Sequence, residues 1–237
     1  MSVFHAAGHQ GIPKAMKSIV ADGGSTGGII QREARVFVVD DDQSVRMSLA
    51  NLLAIEDYAV ETFANATEYL ARVPHPGSAC LVLDVQLPGL GGLALQQQLM
   101  EEGRTEQVVF ITGHGDIHMG IGAMKRGAID FLPKPFKDDE LLSAVARALA
   151  QSAEDCQRRI EVVETRARIA KLTPREFEVF RLVIAGRLNK EIGAALGVTL
   201  RTVKTHRARV MQKVHVVSVA ELVRLAHKAG VAPAERV

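Results

Sequence analysis

The chain has 237 residues, of which 47% are hydrophobic and 24% are charged, values that exclude a largely disordered or collagen-like protein. Only two cysteines are present, which argues against a disulfide framework or a cysteine-based zinc site, and no apolar run reaches the roughly 18 residues of a membrane span. The first residues lack the basic and apolar segments of a secretory signal, so we expect a cytoplasmic protein with no membrane partner.

Charge is distributed unevenly along the chain, although the net charge is only +2. Residues 171–237 contain 13 lysines and arginines against five acidic residues, whereas residues 1–170 contain 16 against 22. An acidic N-terminal part joined to a basic C-terminal part indicates two functions, and nucleic acid is a candidate partner of the C-terminal part.

Residues 1–34 come before the first regular pattern. Their glycine-rich stretch at 22–28 has neither a helical nor a strand period and indicates a flexible leader. A phosphate-binding loop is the alternative, but it would need a preceding strand and a Gly-Lys-Ser/Thr ending, and both are missing.

Residues 35–150 alternate between short apolar runs and helical patterns. Short, continuous apolar strands that alternate with helices are typical of a parallel sheet covered on both faces. The predicted fold class is therefore a doubly wound five-stranded parallel α/β domain, followed by an all-α domain. We predict strands at 36–39, 59–62, 80–83, 108–111 and 128–132, with helices at 44–56, 66–72, 93–102 and 117–126 between them.

A further helix begins near residue 137, and its apolar positions continue beyond the predicted sheet domain into a linker at 151–170. From Leu149 these positions recur at spacings of four and three, which is a heptad-like seam diluted by alanine and cysteine. Two interpretations stay open: a solvated connecting helix, or a short coiled coil that dimerises the chain.

The pattern of residues 171–237 is entirely helical. A capping box at 173–176 predicts the start of the first helix. Short helix, glycine turn and longer basic helix are the signature of a helix-turn-helix domain. After the first helix we predict a short one at 189–196, a basic one from a cap at 199 to about 214, and a last one from a cap at 218 to about 228.

Polar residues follow four of the predicted strands at their carboxyl ends, where parallel α/β sheets bind their ligands. They are Asp40, Asp41, Asp84, Thr112 and Lys134. Neighbouring carboxylates repel one another and stay ionised only beside a cation, and a set of oxygen ligands suits Mg²⁺. The alternative for residues 40–42 is a cluster of helix N-cap carboxylates, which the matching residues at the other strand ends make less favoured.

Four motifs in this part of the chain resemble the receiver domain of two-component response regulators, especially its FixJ-type branch. They are Val-Val-Asp-Asp-Asp at 38–42, Leu-Asp-Val-Gln-Leu-Pro-Gly at 83–89, Ile-Thr-Gly-His-Gly-Asp at 111–116 and Phe-Leu-Pro-Lys-Pro-Phe at 131–136. The resemblance implies that a sensor histidine kinase transfers a phosphoryl group to Asp84. It also implies Mg²⁺ bound directly by Asp41, Asp84 and the backbone carbonyl of Gln86, with Asp40 acting mainly through water.

The same resemblance implies a switch. Lys134 and Thr112 would contact the phosphoryl oxygens, and Phe131 would rotate inward behind Thr112, with a cis bond between Lys134 and Pro135. The chemistry agrees, because a carboxylate can attack phosphorus and nearby cations stabilise the charge on the equatorial oxygens. The other interpretations are an exposed loop lysine, a helix-capping threonine and a core phenylalanine.

Residues 169–230 resemble the LuxR/NarL type of helix-turn-helix, most clearly in Leu-Arg-Thr-Val-Lys-Thr-His-Arg at 200–207. The resemblance implies base reading by Lys204, Thr205 and Ala208, of which Ala208 offers no hydrogen bond and can only meet a thymine methyl group. It also implies RNA polymerase as a partner, and a homodimer on an inverted repeat of promoter DNA, because one small domain buries little surface on DNA. Phosphate contacts are expected from the surrounding basic residues, for each of which plain surface solvation is equally open: Lys190, Arg201, Arg207, Arg209 and Lys213.

Other functions fit the sequence less well. A phosphatase of the haloacid-dehalogenase type would need a second aspartate two residues after the nucleophile, where Gln86 stands. A regulator that binds a small signal molecule would need an aromatic pocket, whereas only 4% of the residues are aromatic. A receiver without phosphorylation would not need the full acidic set. We therefore predict a transcription factor, not an enzyme, that dimerises and binds DNA on phosphorylation. Whether the unphosphorylated receiver masks the DNA-binding domain or fails to dimerise stays open.

Overall fold

The computed structural model describes residues 34–113 and 117–235. The predicted leader at 1–34 lies outside the described residues, apart from residue 34 itself. Within the described ranges, no helix is long and apolar enough to pass through a membrane.

One parallel sheet is formed within these ranges by β1 (Arg35–Val39), β2 (Ala59–Phe63), β3 (Ala79–Asp84), β4 (Gln107–Thr112) and β5 (Asp130–Pro133). The strands lie in the order β2-β1-β3-β4-β5, which confirms the predicted fold class. The connecting helices are α1 (Gln43–Ile55), α2 (Ala66–Ala71), α3 (Gly92–Glu101) and α4 (Ile117–Lys125).

Both faces of the sheet are covered, because successive strand residues point to opposite sides. On one face, Val38 and Val82 pack against α1 and the next helix, α5 (Asp138–Ile169). On the other face, Phe37 and Leu83 pack against α2 and α3. This double coverage is the reason that the strands are continuous apolar runs rather than alternating ones.

The last strand begins two residues later than predicted. The sequence predicts a strand at 128–132, whereas β5 runs from Asp130 to Pro133. Ala128 instead belongs to the turn that ends α4, because its N–H donates to the carbonyl of Ala123 at 3.1 Å. Gly127, with a φ of +85°, makes this turn possible.

One continuous helix, α5, joins the sheet to the helices that follow. Leu141 and Val145 of its first half lie in the core of the sheet, while Ile169 at its end lies in the core of the C-terminal helices. Beyond Leu149 the seam residues are half-buried or exposed, and Val163 is 67% exposed. Both interpretations of this seam, a connecting helix and a dimer contact, therefore stay open.

The C-terminal helices are α6 (Pro174–Ile184), α7 (Asn189–Leu196), α8 (Leu200–Val214) and α9 (Val219–Ala229), close to their predicted bounds. Thr173 and Glu176 form the predicted capping box. Gly197, in the left-handed conformation with a φ of +65°, ends α7 as predicted. Gly193 lets the turn after α7 fold back closely, because a Cβ there would lie 2.9 Å from the carbonyl oxygen of Val198.

Ser152 provides a test of how firmly α5 is held on the sheet. It is 2% exposed, and its hydroxyl oxygen accepts a hydrogen bond of 2.9 Å from the N–H of Ala79 at the start of β3. We expect Ser152→Ala to lower the free energy of unfolding by about 1–3 kcal/mol, because a buried N–H loses its partner. Urea unfolding followed by circular dichroism measures this change.

The control is Ser143→Ala, which removes an exposed hydroxyl from the same helix. We expect it to change the free energy of unfolding by less than about 0.5 kcal/mol. Equal losses in the two variants would contradict a specific role for the hydrogen bond from Ala79.

Candidate functional site

Three carboxylates meet where β1 and β3 end. Asp40 follows β1 and Asp84 is the last residue of β3, and these strands are neighbours in the sheet. One oxygen of each of Asp40, Asp41 and Asp84 lies within 4.8 Å of the others. Asp40 and Asp84 are buried and Asp41 is exposed, so one side of this acidic cluster reaches solvent. The structure thus brings together the three acidic side chains that the sequence predicted.

Lys134 lies beside the acidic cluster, directly after β5. Its ammonium donates hydrogen bonds to Asp40 Oδ2 at 2.7 Å and to Asp84 Oδ2 at 2.8 Å. The bond between Lys134 and Pro135 is cis, and the Lys134 N–H donates to the carbonyl of Thr112 at 2.7 Å. Burial alone would lower the pKa of Lys134, but its hydrogen bonds to both carboxylates raise that pKa above the ordinary value. The lysine therefore stays charged between them.

Backbone N–H groups hold the other oxygen of each buried carboxylate. Asp40 Oδ1 accepts from the N–H of Asp42 at 2.9 Å, and Asp84 Oδ1 accepts from the N–H of Gln86 at 2.9 Å. Burial raises the pKa of Asp40 above its ordinary value, although the hydrogen bonds that its carboxylate accepts act against this. Asp42 caps α1 by accepting from the N–H of Ser44 at 2.7 Å, so the N-cap interpretation applies to Asp42.

Arg46 of α1 supports the cluster, and the sequence analysis did not identify it. Its Nη1 donates to the carbonyl of Asp40 at 2.7 Å and to the carbonyl of Asp41 at 3.0 Å. One guanidinium therefore fixes the backbone of two residues of the cluster. The only signal in the sequence is an arginine in the first turns of the helix that follows these aspartates.

Thr112 and Phe131 lie on the neighbouring strands β4 and β5. Thr112 is fully buried at the end of β4, and Phe131 is half-buried. The Phe131 ring packs on Phe110, with ring centroids 6.2 Å apart, and against Gly120 of α4. A Cβ at residue 120 would lie 3.2 Å from Cδ1 of this ring, so glycine lets the ring approach α4 closely.

The residues predicted to read DNA bases lie on the exposed side of α8. Lys204, Thr205 and Ala208 are exposed, whereas Val203 of the same helix is buried in the core. This arrangement leaves a polar helix face available to a large ligand. Three of the residues predicted to contact phosphates are exposed as well: Lys190, Arg201 and Arg209.

Arg207 and Lys213 differ from these residues because their side chains bind within the protein. Arg207 is half-buried, and its Nη1 donates to Asn189 Oδ1 of α7 at 2.5 Å. Lys213 pairs with the buried Glu176 at 2.6 Å, and this hydrogen bond lowers the pKa of Glu176 to about 2. Both contacts tie α8 to a neighbouring helix, so a phosphate contact by Arg207 would compete with its bond to Asn189.

Comparison with known proteins identifies the family. Residues 36–146 match the response regulator receiver domain family, and residues 170–226 match bacterial regulatory proteins of the luxR family. Nodulation protein W of Bradyrhizobium diazoefficiens is 43% identical over 199 residues, which cover 84% of this chain and 88% of that protein. The chain is a DNA-binding transcriptional response regulator of the two-component type.

Further similarities extend over most of this response regulator. The transcriptional regulatory protein FixJ of Azorhizobium caulinodans is 42% identical over 200 residues, which cover 84% of this chain and 95% of that protein. The solved low-resolution structure of the response regulator StyR superposes with a TM-score of 0.74 at 45% identity, and it covers 83% of this chain and all of that one. The receiver match contains the sheet and the acidic cluster, and the luxR match contains α6, α7 and α8.

Gly92 of this response regulator is a second supporting residue that the sequence analysis did not identify. It is the first residue of α3, and a Cβ there would lie 2.2 Å from the carbonyl oxygen of Asp84. The same Cβ would lie 3.1 Å from Cα of Val85. These are backbone atoms that cannot rotate away, so any larger residue must shift Asp84 or α3.

We expect Gly92→Ala to slow transfer of a phosphoryl group from a small-molecule donor by on the order of 100-fold, because a displacement of about 1 Å at a reacting centre has that effect. Phosphorylated protein measured over time on a phosphate-affinity gel gives the rate. Gly91→Ala is the matched control, since a Cβ there meets the carbonyl of Val85 at an ordinary 3.7 Å. If both variants kept the wild-type rate, the close approach of Gly92 to the carbonyl of Asp84 would have no role in phosphoryl transfer.

Proposed function

We propose that a sensor histidine kinase phosphorylates this response regulator on Asp84 and that the phosphoryl group controls its binding to promoter DNA. The observation that carries the proposal is the joint contact of Lys134 with Asp40 and Asp84, beside the carboxylate of Asp41. One ammonium and three carboxylates leave excess negative charge, which favours a further cation. Membership of the receiver family supports the kinase as the phosphoryl donor.

The donor set of the acidic cluster fits Mg²⁺. Its side chains offer only oxygen ligands, and its exposed side leaves positions for water, as this ion prefers. In our proposal Asp41, Asp84 and the backbone carbonyl of Gln86 bind the ion directly, and Asp40 acts through water. When it is bound, the ion neutralises charge on the phosphoryl oxygens.

The reaction of Asp84 is phosphoryl transfer to a carboxylate. One of its oxygens attacks phosphorus while the bond from phosphorus to the kinase histidine nitrogen breaks, which gives an acyl phosphate. The ammonium of Lys134, which bonds to Asp84 Oδ2, shifts to a phosphoryl oxygen as charge spreads over these oxygens. The N–H of Gln86 holds the other carboxylate oxygen of Asp84 during the attack.

Thr112 and Phe131 carry the response away from Asp84 in this proposal. The Thr112 hydroxyl turns towards a phosphoryl oxygen, and the Phe131 ring moves inward behind it. Because that ring packs against Gly120, its movement changes the surroundings of α4. The altered surface of α4, β5 and α5 then promotes dimerisation. Because the base-reading residues of α8 are exposed, we favour control by dimerisation over masking of the DNA-binding domain by the receiver.

The proposal divides the chain into a leader at 1–34, a receiver at 35–150, a helical linker at 151–170 and a DNA-binding domain at 171–237. The protein acts in the cytoplasm as a homodimer on an inverted repeat, together with RNA polymerase, and not as an enzyme. Its contacts with DNA come from Lys190, Arg201, Lys204, Thr205, Arg207, Ala208 and Arg209.

Asp84→Asn tests the proposal, because an amide cannot form an acyl phosphate. With a small-molecule phosphodonor and Mg²⁺, we expect the wild type to dimerise and to bind DNA about 5- to 150-fold more tightly, the usual range of coupling between two sites. Light scattering gives the mass, and fluorescence anisotropy with DNA selected from a random pool gives the affinity. The variant should show neither change, and an equal response of both proteins would refute the proposal.

Lys204→Ala tests the proposed base reading. We expect it to weaken binding to the selected DNA by about 1–3 kcal/mol and to relax discrimination at one base position, because its exposed ammonium would lose a base contact. Arg224→Ala removes an equal charge from the exposed surface of α9 and should retain the discrimination. A loss that is uniform over all DNA sequences would instead make Lys204 a phosphate contact.

A further inference from the structure

A cleft lined by arginines lies at the end of the sheet where the strands begin, opposite to the end that carries the acidic cluster. The end of α3, the start of β4, the turn after α4 and the second half of α5 form its walls, and its volume is about 450 Å³. We call it the arginine cleft after the four arginines that line it, Arg104, Arg126, Arg158 and Arg159. None of its residues belongs to the acidic cluster, so neither the receiver chemistry nor the DNA contacts account for it.

Two of the described residues that line the arginine cleft are acidic, and both are already neutralised. Asp155 pairs with Arg158 of the same helix. Glu106 pairs with the half-buried Arg72, which lies outside the cleft. The positive charge of the remaining arginines is therefore not cancelled by the walls.

Arg126 and Arg159 have only neutral side-chain partners within the described part of the chain. Arg126 Nε lies 3.4 Å from Oε1 of Gln96, and Arg159 Nη2 donates to the hydroxyl of Thr105 at 2.7 Å. Arg104 pairs with Glu102, which lies outside the cleft, and the Arg104 side chain is only 9% exposed. Its Nη1 has no hydrogen-bond partner in the described ranges. That Nη1 is itself not exposed to solvent, so the hydrogen bonds to a ligand in the cleft would come from Arg126 and Arg159.

The chemistry of the walls indicates the class of ligand. A guanidinium presents paired N–H donors that match two oxygens of a phosphate group. Leu99, Val108 and Met100 add apolar surface, and the 56% exposure of Met100 leaves it available to a flat ring. The volume is within the range of cavities that bind small molecules. We propose that the arginine cleft binds a small phosphorylated ligand with a flat ring, of the class of nucleoside diphosphates.

A ligand in the arginine cleft would strengthen the attachment of α5 to the sheet. Two hydrogen bonds already cross between these walls, from Gln107 Nε2 to Asp155 Oδ2 at 2.8 Å and from Arg159 to Thr105. A phosphate held by Arg126 and Arg159 would add a bridge from the turn after α4 to the linker part of α5. Such a ligand would act on this response regulator independently of Asp84.

Calorimetric titration of the full chain tests the proposal, with ADP, pyrophosphate and adenosine as probes in Mg²⁺-free buffer at physiological salt. We expect ADP to bind more tightly than pyrophosphate, and adenosine to give no signal, because the phosphates supply most of the interaction. Arg126→Gln and Arg159→Gln should each weaken ADP binding by about tenfold, since each removes charge-assisted hydrogen bonds. Both side chains contact neutral groups, and unchanged thermal unfolding without ligand verifies the fold of the variants.

Three control variants separate the arginine cleft from other charged surfaces. Lys125→Gln removes an equal charge from an exposed residue near the cleft, Lys204→Ala alters the predicted DNA surface, and Asp84→Asn alters the acidic cluster. All three should keep the wild-type affinity for ADP. The proposal is overturned if ADP and pyrophosphate do not bind, if adenosine binds as well as ADP, or if Lys125→Gln or Lys204→Ala weakens ADP binding as much as the arginine variants do.

Discussion

Repulsion between carboxylates at the ends of two neighbouring strands is the constraint on which this response regulator is built. Asp40, Asp41 and Asp84 have oxygens within 4.8 Å of one another, and two of these residues are buried. Such a group needs positive charge beside it, and Lys134 supplies charge from the chain itself by bonding Asp40 and Asp84 at once. A phosphoryl group on Asp84 would change this balance and give Lys134 a new partner. In the proposed function, the site would therefore respond to the phosphoryl group through an ion pair that is already in place.

The helix that follows Lys134 connects the sheet that carries the acidic cluster to the DNA-binding domain. α5 has 32 residues and a length of about 48 Å at the usual rise per residue. Its first half contributes to the core of the sheet, and Ile169 contributes to the core of the C-terminal helices. Near its end, the Arg166 guanidinium donates to the carbonyl of Ala229 at 3.1 Å, and Glu161 pairs with Lys228. A continuous helix shared by two cores is a direct physical connection of the kind through which two sites are coupled.

Much of this architecture could be predicted from the sequence because local patterns determine it. Apolar runs that end in Asp40, Asp84 and Thr112 indicated both the strands and the side chains gathered at their ends. Thr173 and Gly197 marked helix ends because capping and left-handed backbone favour these residue types locally. What the sequence left open was the role of each residue, since burial and partners depend on the rest of the fold.

The contacts that could not be predicted join segments that are distant in the sequence or depend on close backbone approach. Ser152 meets Ala79 only because α5 packs on the sheet, and Arg207 meets Asn189 only because α8 packs on α7. Gly92 is an ordinary glycine in the sequence, and only the fold shows that it lies against the carbonyl of Asp84. These contacts belong to tertiary packing, on which apolar periodicity carries no information.

Peptide mass spectrometry after reductive trapping measures most directly whether Asp84 becomes an acyl phosphate. The chain would be treated with a small-molecule phosphodonor, with and without Mg²⁺, and then digested. The charge balance around Lys134 predicts one trapped site, at Asp84, that depends on Mg²⁺ and is lost in Asp84→Asn. Trapping at a different carboxylate, trapping that is equal without the ion, or no trapping at all would contradict it.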